Sequence, residues 1–314
     1  MSDHGIFLGV DGGGTKTEFV CIDEVGEVVG RHVEGTTYHL QVGLDGALQA
    51  IGAGIAGVCA DAGIAPAGLA YAFFGLPAYG EDAAIDPQLE RQCGQLLGHD
   101  RYSCGNDMVC GWAGSLACAD GINLVAGTGS IGYGERQGRS ARVGGWGEVF
   151  SDEGSAYWIA IQGLNAFTRM SDGRLPRGAL HDAFRSKLDL GADLDICARI
   201  MGESGLERDG IAGLAPLVAE AAAAGDPAAI AIHDRAADEL AAMAEALRAE
   251  LGFAEDEPVP LSWSGGVLAN DGSVRSRLEA RLVAAGPYQP VEPRHSPAYG
   301  AALYARLQAS RSTD

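Results

Sequence analysis

The chain has 314 residues with 22 basic and 42 acidic side chains, so its formal net charge at neutral pH is −20. This length suits two domains of roughly 150 residues each. An apolar fraction of 47% excludes intrinsic disorder. The acidic balance argues against a nucleic-acid partner and against an anionic membrane surface, because both require a basic face. The 47 glycines occur in short clusters with no triplet period, which excludes collagen and indicates turns and ligand loops.

The cysteine pattern and the apolar runs indicate where such a chain resides. Seven cysteines, an odd number, are scattered without a C-x-x-C pair, which predicts buried free thiols in a reducing compartment. No apolar run reaches the ~18 residues that span a bilayer, and no basic segment typical of a signal peptide precedes the first strand. We therefore expect a cytoplasmic protein.

The order strand, glycine turn, strand, turn, strand occurs twice along the chain. In the first half the apolar patterns predict strands over 6–10, 18–22 and 27–33, a helix with apolar residues at 48, 51, 55 and 58, and a strand over 69–74. In the second half they predict strands over 122–126, 131–135 and 141–143. This repetition predicts two similar lobes. A helix from Asp226-Pro227 to Leu251 and a strand over 259–263 complete a predicted α/β fold with antiparallel edges.

The first motif is Asp11-Gly-Gly-Gly-Thr-Lys-Thr17, between two predicted strands. Its glycines permit positive φ angles and let backbone N–H groups surround an anion. Thr15 and Thr17 would add hydroxyl donors, Lys16 a cation, and Asp11 a carboxylate suited to Mg²⁺. The motif is not a P-loop, because Thr15 stands where that motif needs lysine, and not a dinucleotide fingerprint, because Thr17 replaces the last glycine. A plain hairpin turn needs fewer glycines, so the motif predicts phosphate binding.

Two further glycine turns follow predicted strands. Gly127-Thr-Gly-Ser130 has the same place in the second lobe as the first motif, and two such turns could grip a polyphosphate chain from both sides. Ser264-Gly-Gly-Val267 follows the strand over 259–263, and by itself it indicates a strand-to-helix turn.

Two segments carry acidic side chains in glycine-rich surroundings. Asp107 follows a predicted strand over 101–105, where its carboxylate could take a proton from a hydroxyl or cap a helix over 108–118. The segment 144–158 places an indole beside two carboxylates, as in a sugar pocket. Its alternative is a helix N-cap at Ser151, with Asp152 and Glu153 in the first turn. The chain has no G-x-S-x-G and no H-E-x-x-H, and we interpret His233 and His295 as surface or packing residues.

Taken in this order, the five segments resemble the sugar kinase/Hsp70/actin superfamily. Within it, the chain resembles the BadF/BadG/BcrA/BcrD ATPase family and its N-acetylglucosamine kinase branch almost from end to end. Residues 11–17 resemble the first phosphate motif, 127–130 the second, and 264–267 the adenosine motif. The most specific match is 144–157 (GGWGEVFSDEGSAY), which resembles the acceptor-sugar segment.

The resemblance implies two actin-like, ribonuclease H-like lobes of mixed β-sheet flanked by helices, with a nucleotide cleft between them. The N-terminal lobe would cover 1–117, the C-terminal lobe 118–296, and a helix over 297–314 would pack back on the first lobe. The implied activity is ATP- and Mg²⁺-dependent phosphorylation of N-acetylglucosamine at its 6-hydroxyl. The implied partners are this amino sugar and ATP, with no nucleic acid and no membrane, and a homodimer is left open.

The resemblance also implies a role for each site residue. Asp107 would be the catalytic base, and Asp11 would hold Mg²⁺ directly or through water. The ATP-binding residues would be Gly12, Gly13, Gly14, Thr15, Lys16, Gly127, Thr128, Gly129, Gly265 and Gly266. The sugar-binding residues would be Asp107, Thr128, Gly145, Trp146, Gly147 and Asp152.

Two segments differ from the branch. Tyr38 stands where the branch usually has Asn, and Pro77-Ala78-Tyr79-Gly80 where it has Ser-Gly-Gly. Because both approach the sugar in the family, glucosamine or another hexose is an alternative acceptor. Another alternative is the ATPase activator of a 2-hydroxyacyl-CoA dehydratase, but its iron–sulfur cluster needs grouped cysteines and gives Asp107 no task. A sugar-responsive transcription regulator would need a basic helix-turn-helix before the first strand.

Overall fold

The computed structural model describes residues 5–269 and 272–312. The chain forms two compact units, Met1–Asp120 with Glu292–Asp314, and Gly121–Val291. Each unit contains a five-stranded mixed sheet flanked by helices, which confirms the predicted α/β class.

The strands are numbered along the chain. They are β1 (Phe7–Gly12), β2 (Lys16–Ile22), β3 (Val28–Gly35), β4 (Tyr71–Leu76), β5 (Tyr102–Asn106), β6 (Gly121–Ala126), β7 (Ser130–Arg136), β8 (Arg139–Gly144), β9 (Val259–Ser264) and β10 (Tyr288–Pro290). The helices are α1 (His39–Asp61), α2 (Asp86–Leu97), α3 (Met108–Leu116), α4 (Ala156–Ser171), α5 (Ala179–Lys187), α6 (Ile196–Met201), α7 (Arg208–Ala212), α8 (Ala215–Ala223), α9 (Pro227–Leu251), α10 (Gly266–Ala269), α11 (Ser273–Ala285) and α12 (Pro297–Arg311).

The sheet of the first unit has the order β3-β2-β1-β4-β5. β1, β2 and β3 form an antiparallel meander, whereas β1, β4 and β5 are parallel. Phe19 of β2 is fully buried in one core with Ile51 and Ile55 of α1. α1 is long and apolar enough to cross a membrane by length and composition, but here its apolar stripe packs in this core.

The last helix, α12, belongs to the first unit. Tyr299 donates a hydrogen bond from its hydroxyl to the Gly26 carbonyl (2.8 Å). The ring of Tyr304 meets Phe73 edge-on, with centroids 4.8 Å apart. The chain therefore leaves the first unit after residue 120 and returns to it at residue 292.

The sheet of the second unit has the order β10-β9-β6-β7-β8. The long helix α9 shares its core with Leu124 of β6. As predicted, Asp226 caps α9 by accepting from the amides of Ala228 (2.9 Å) and Ala229 (3.2 Å). Gly252 ends it in the left-handed conformation, because a residue without Cβ adopts positive φ at no steric cost.

The cysteines follow the prediction only in part. All seven are free, and Cys21, Cys59, Cys93 and Cys110 are buried. Cys197 is exposed, so its prediction as a buried thiol is wrong. It follows Ile196, the one buried residue of the short helix α6.

Candidate active site

The first unit gathers two carboxylates where its parallel strands end. Asp11 is the penultimate residue of β1, and Asp107 directly follows β5. In the sheet register Asp11 pairs with Gly75 of β4, which pairs with Gly105 of β5. The carboxyl ends of neighbouring parallel strands are the usual place for a ligand in an α/β sheet. The structure thus places Asp11 and Asp107 at one edge.

The surroundings of Asp11 disfavour its charged form. Burial is the main cause, and the negative charges of Asp107 and Glu18 add to the effect, so the pKa of Asp11 rises to about 8. A cation bound here would offset the repulsion between the carboxylates. Carboxylates are ligands that Mg²⁺ accepts alongside water and substrate phosphates. Within residues 5–269 and 272–312 no group of three His, Cys, Asp or Glu side chains could hold a metal by itself. Asp11 therefore fits a Mg²⁺ ion that takes its other ligands from phosphate and water.

The first glycine motif forms the hairpin between β1 and β2, and the amide of Gly13 donates to the carbonyl of Lys16 (2.9 Å). None of its three glycines has a positive φ, so the hairpin does not use the positive φ that glycine permits. Gly12 is instead required because its surroundings leave no room for a side chain. A Cβ there would lie 2.5 Å from Thr37 Oγ1 and 2.7 Å from Pro77 Cδ. Gly14 is open to solvent on this side, with nothing within 4 Å of an added Cβ.

The polar side chains of this hairpin differ in whether a ligand can reach them. Thr17 is fully buried and donates its hydroxyl to Thr37 Oγ1 (3.1 Å). The prediction that Thr17 offers a hydroxyl to an anion is therefore wrong. Thr15 and Lys16 are exposed, and the ammonium of Lys16 pairs with Glu18, which raises the pKa of Lys16. A ligand would have to share Lys16 with Glu18.

Asn106, which forms one motif with Asp107, makes the hydrogen bond to the start of α3 that was considered for Asp107. The Asp107 side chain makes no cap hydrogen bond to α3. Asn106 Oδ1 instead accepts from the amide of Met108 (3.2 Å), and its Nδ2 donates to the Tyr79 carbonyl (3.3 Å). The helix-cap interpretation of Asp107 is thus wrong. Asn106 ties the end of β5 to the segment 77–80.

The segments around Tyr38 and over 77–80, which differ from the branch that the chain resembles, lie next to this edge of the sheet. Ala78 has φ +58°, a conformation that glycine adopts without strain and alanine rarely does. Tyr38 precedes α1, and its amide donates to Thr36 Oγ1 (3.0 Å). The Thr36 hydroxyl in turn donates to the Gly13 carbonyl (2.7 Å). The chain therefore holds the Tyr38 segment against the first glycine turn.

The second unit brings the other two glycine motifs together. In the turn between β6 and β7, the amide of Gly127 donates to the carbonyl of Gly129 (2.9 Å). Gly265, with φ +90°, lies so near that its added Cβ would be 2.4 Å from the Ala126 carbonyl oxygen. The predicted strand-to-helix turn at 264–267 is confirmed, because α10 starts at Gly266.

Asp152 lies against the glycine turn between β6 and β7. Its buried carboxylate contacts Arg208, with Oδ2 and Nη2 2.8 Å apart, and Arg208 Nε also pairs with Glu148 (3.2 Å). A Cβ on Gly129 would lie 2.7 Å from both Arg208 Nη2 and Asp152 Oδ2. Burial raises the pKa of Asp152, and Arg208 partly offsets this rise. Arg208 therefore links Asp152, a predicted sugar-binding residue, to the predicted phosphate turn. No motif in the sequence pointed to this arginine.

Helix α4 begins later than the interpretation of Ser151 as its N-cap predicts. Ser155, not Ser151, is the N-cap, and its hydroxyl accepts from the amide of Trp158 (3.1 Å). Asp152 has φ +60° and Gly154 φ +79°. Two left-handed residues cannot lie in a helical first turn, so the prediction of Asp152 and Glu153 in that turn is wrong.

The rest of the predicted sugar segment forms an exposed loop. Gly145 and Gly147 both have positive φ, and the Trp146 side chain between them is 72% exposed. The guanidinium of Arg142 lies 5.9 Å from the centre of a Trp146 ring. Trp146 is thus available to a ligand as an apolar face.

A cavity of about 720 Å³ adjoins both glycine turns of the second unit. Its walls are mostly small and apolar, and its lining includes Gly127, Thr128, Asp209, Pro216, His233, Gly266, Val267 and Ser273. This volume lies within the usual range of small-molecule sites, ~300–1,000 Å³. His233 is buried and lines this cavity, which the interpretation as a surface or packing residue did not anticipate.

Comparison with known proteins places these features in a family. The family model described as the BadF/BadG/BcrA/BcrD ATPase family matches residues 8–305. The chain belongs to this ATPase family. Its relatives include the N-acetyl-D-glucosamine kinase of Dictyostelium discoideum, 30% identical over 312 residues that cover 96% of this chain and 97% of that protein. A second is the N-acetylmuramic acid/N-acetylglucosamine kinase of Clostridium acetobutylicum, 31% identical over 73% of this chain and 74% of that protein.

A solved structure confirms the fold of this ATPase family member. It comes from Chromobacterium violaceum and is provisionally named N-acetylglucosamine kinase. It superposes with a TM-score of 0.71 at 24% identity, covering 97% of this chain and 99% of that one. The family model and the two curated relatives confirm the resemblance inferred from the five segments.

Proposed function

We propose that this ATPase family member is an ATP-dependent hexosamine kinase that phosphorylates N-acetylglucosamine at its 6-hydroxyl. The observation that carries the proposal is the pair of carboxylates, Asp11 and Asp107, at the carboxyl ends of parallel strands. Phosphoryl transfer needs positioning, neutralised charge and one group to receive a proton. The names of the two curated relatives support the amino sugar as acceptor.

In this proposal the first unit supplies the base and the metal ligand. Asp107 accepts the proton of the sugar 6-hydroxyl, which makes the oxygen a better nucleophile. Asp11 would hold Mg²⁺ directly or through water, and the metal would supply the positive charge that offsets the phosphate charge. The hairpin residues Gly12, Gly13, Gly14, Thr15 and Lys16 bind the phosphate chain through amides, a hydroxyl and an ammonium.

The second unit would bind the rest of the nucleotide and the acceptor. Gly127, Thr128 and Gly129 bind phosphate, and the cavity that adjoins them takes the nucleoside beside Gly265 and Gly266. The acceptor hydroxyls are held by Thr128, Asp152 and the backbone of Gly145 and Gly147, while Trp146 packs on the sugar ring. Arg208 keeps the Asp152 carboxylate in place for this task.

The domain boundaries and the compartment are also proposals. We assign 1–117 with the helix over 297–314 to the N-terminal lobe, and 118–296 to the C-terminal lobe. Seven free cysteines support a reducing, cytoplasmic setting.

A coupled assay of ADP release tests the proposal. The purified chain is supplied with ATP, Mg²⁺ and, in separate reactions, N-acetylglucosamine, glucosamine, N-acetylmannosamine, glucose or no sugar. We expect the highest kcat/KM with N-acetylglucosamine and little ADP without sugar. A preference for glucosamine would reassign the acceptor, as the differences at Tyr38 and Ala78 allow. Equal rates in all five reactions would reject the kinase.

A further inference from the structure

His233 lines the cavity of about 720 Å³ in the second unit, and a series of polar contacts holds its ring. Its Nδ1 lies 2.8 Å from the hydroxyl oxygen of Ser273. Arg277, one turn further along α11, donates from Nη1 to the same hydroxyl oxygen and to the Ser273 carbonyl. Asp234 accepts from Nε of Arg277 (2.9 Å) and keeps the guanidinium in place.

These contacts determine which nitrogen of His233 carries the proton. A guanidinium can only donate, so the Ser273 oxygen accepts from Arg277. The hydroxyl proton of Ser273 then needs an acceptor, and the neighbouring one is Nδ1 of His233. If Nδ1 carried a proton instead, the Ser273 oxygen would face two donors, and its own hydroxyl proton would have no acceptor among these residues. The neutral ring therefore carries its hydrogen on Nε2.

The ring is neutral for two physical reasons. Burial lowers the pKa of His233 to about 4, and the charge of Arg277 acts in the same direction. Asp234 opposes this shift but does not cancel it. Near neutral pH His233 thus offers one uncharged N–H donor.

The donor has no partner among the residues that the structure describes. Across residues 5–269 and 272–312, Nε2 of His233 makes no hydrogen bond, although the side chain is 3% exposed and lines the cavity. A ligand that filled the cavity and covered this donor without offering an acceptor would lose ~1–3 kcal/mol, which favours a ligand that supplies the acceptor. The surrounding wall of Ala212, Pro216 and Ala219 is apolar, as a flat heterocycle requires.

We propose that His233 is a specificity residue that donates a hydrogen bond from Nε2 to a ring nitrogen of a purine base. This inference rests on the proposed nucleotide site and adds which group of the nucleotide His233 recognises. The phosphates of the same nucleotide would lie at Gly127 and Thr128, which also line this cavity.

The decisive experiment removes the acceptor nitrogen from the ligand and leaves the protein unchanged. ADP and its 1-deaza, 3-deaza and 7-deaza analogues are titrated into the wild-type chain by calorimetry. We expect one of the three analogues to bind about 2- to 12-fold more weakly than ADP, the effect of one neutral hydrogen bond. The other two should bind like ADP. If all three bind like ADP, the inference is overturned even when no variant can be made.

A matched pair of variants connects that effect to His233. In His233→Gln the side-chain amide can reach the place of Nε2 and donate there, so the weakening by the same analogue should persist. In His233→Asn the shorter side chain can reach only Ser273, so ADP and this analogue should bind equally. Weakening that persists in His233→Asn would show that another group contacts the base and would overturn the inference.

The outcomes separate this inference from the proposed function. Sugar-dependent ADP release together with equal binding of all four nucleotides rejects the role of His233 and leaves the kinase standing. A wild-type chain that binds no ADP rejects the nucleotide site and the inference with it.

Discussion

Asp107 is the side chain on which the proposed chemistry depends most. We expect Asp107→Asn to lower kcat about 100- to 10,000-fold, the usual contribution of a general base. The Kd of ATP should change little, because the amide keeps the size of the side chain. Sugar-dependent ADP release and ATP titration measure the two quantities.

A matched control lies at the other end of the same strand. Asp100 is exposed and precedes β5, whereas Asp107 follows it. Asp100→Asn should retain wild-type kcat. A nearly unchanged kcat in Asp107→Asn would remove Asp107 as the base.

His233 should also leave a signature in the pH dependence of stability. Its pKa is about 4 in the folded chain, against 6.5 for the unperturbed group. Between these values the unfolded chain binds a proton that the folded chain does not, so the free energy of unfolding falls as pH decreases from 6.5 to 4. The loss attributable to this group is about 3 kcal/mol at most.

Denaturant unfolding of the wild type and of His233→Asn across this pH window measures that loss. The variant should show a smaller decrease, because it lacks the titrating group. The same pH slope in both proteins would contradict the low pKa of His233.

Residue roles could be predicted from the sequence where they follow from a local motif. Asp11 and Asp107 each follow a predicted strand, and in the structure they lie at one edge of the sheet. Arg208 could not be predicted, because it lies 56 residues from its partner Asp152 in a segment with no motif. His233 resembled any other residue of an amphipathic helix until the fold placed Ser273 beside it.

At the scale of elements, the glycine hairpin between β1 and β2 gives a clear comparison. Gly12→Ala should lower the free energy of unfolding by about 1–3 kcal/mol, because the new methyl group overlaps Thr37 and Pro77. Gly14→Ala in the same hairpin should change it by less than about 0.5 kcal/mol, because the space beside Gly14 is open.

Chemical denaturation of the two variants tests this difference. Both lie in the proposed phosphate-binding turn, so stability, rather than activity, is the appropriate readout. Equal destabilisation by the two substitutions would contradict the packing around Gly12.

Elements with a strong apolar pattern and a local stop signal were predictable. The helix α9 begins at Asp226-Pro227 and ends before Gly252 as its capping residues indicate. The start of α4 was not predictable, because Ser151 and Ser155 are both acceptable caps. The left-handed backbone at Asp152, which excludes Ser151, accompanies the contact with Arg208.

On the scale of the whole molecule, the first unit is completed by the end of the chain. α12 contributes the buried residues Ala298, Ala301, Ala302, Leu303 and Ala305. A chain truncated after Ser296 should lose the cooperative stability of the first unit, since its sheet would lose a packed face. The second unit, which is continuous over Gly121–Val291, should stay folded.

Hydrogen exchange on the truncated chain distinguishes the two units. We expect rapid exchange of the β1 and β4 amides and retained protection in β6 and β9. Full protection of β1 after truncation would contradict the role assigned to α12.

The position of the transferred phosphate tests the central claim most directly. Phosphorus NMR of the product from ATP and N-acetylglucosamine reports the protons near the new phosphate. A phosphate on the primary 6-oxygen couples to two protons and gives a triplet, which we predict. A doublet would place the phosphate on a secondary or anomeric oxygen, and uncoupled inorganic phosphate alone would show an ATPase that transfers nothing to the sugar. Either result would contradict a hexosamine 6-kinase.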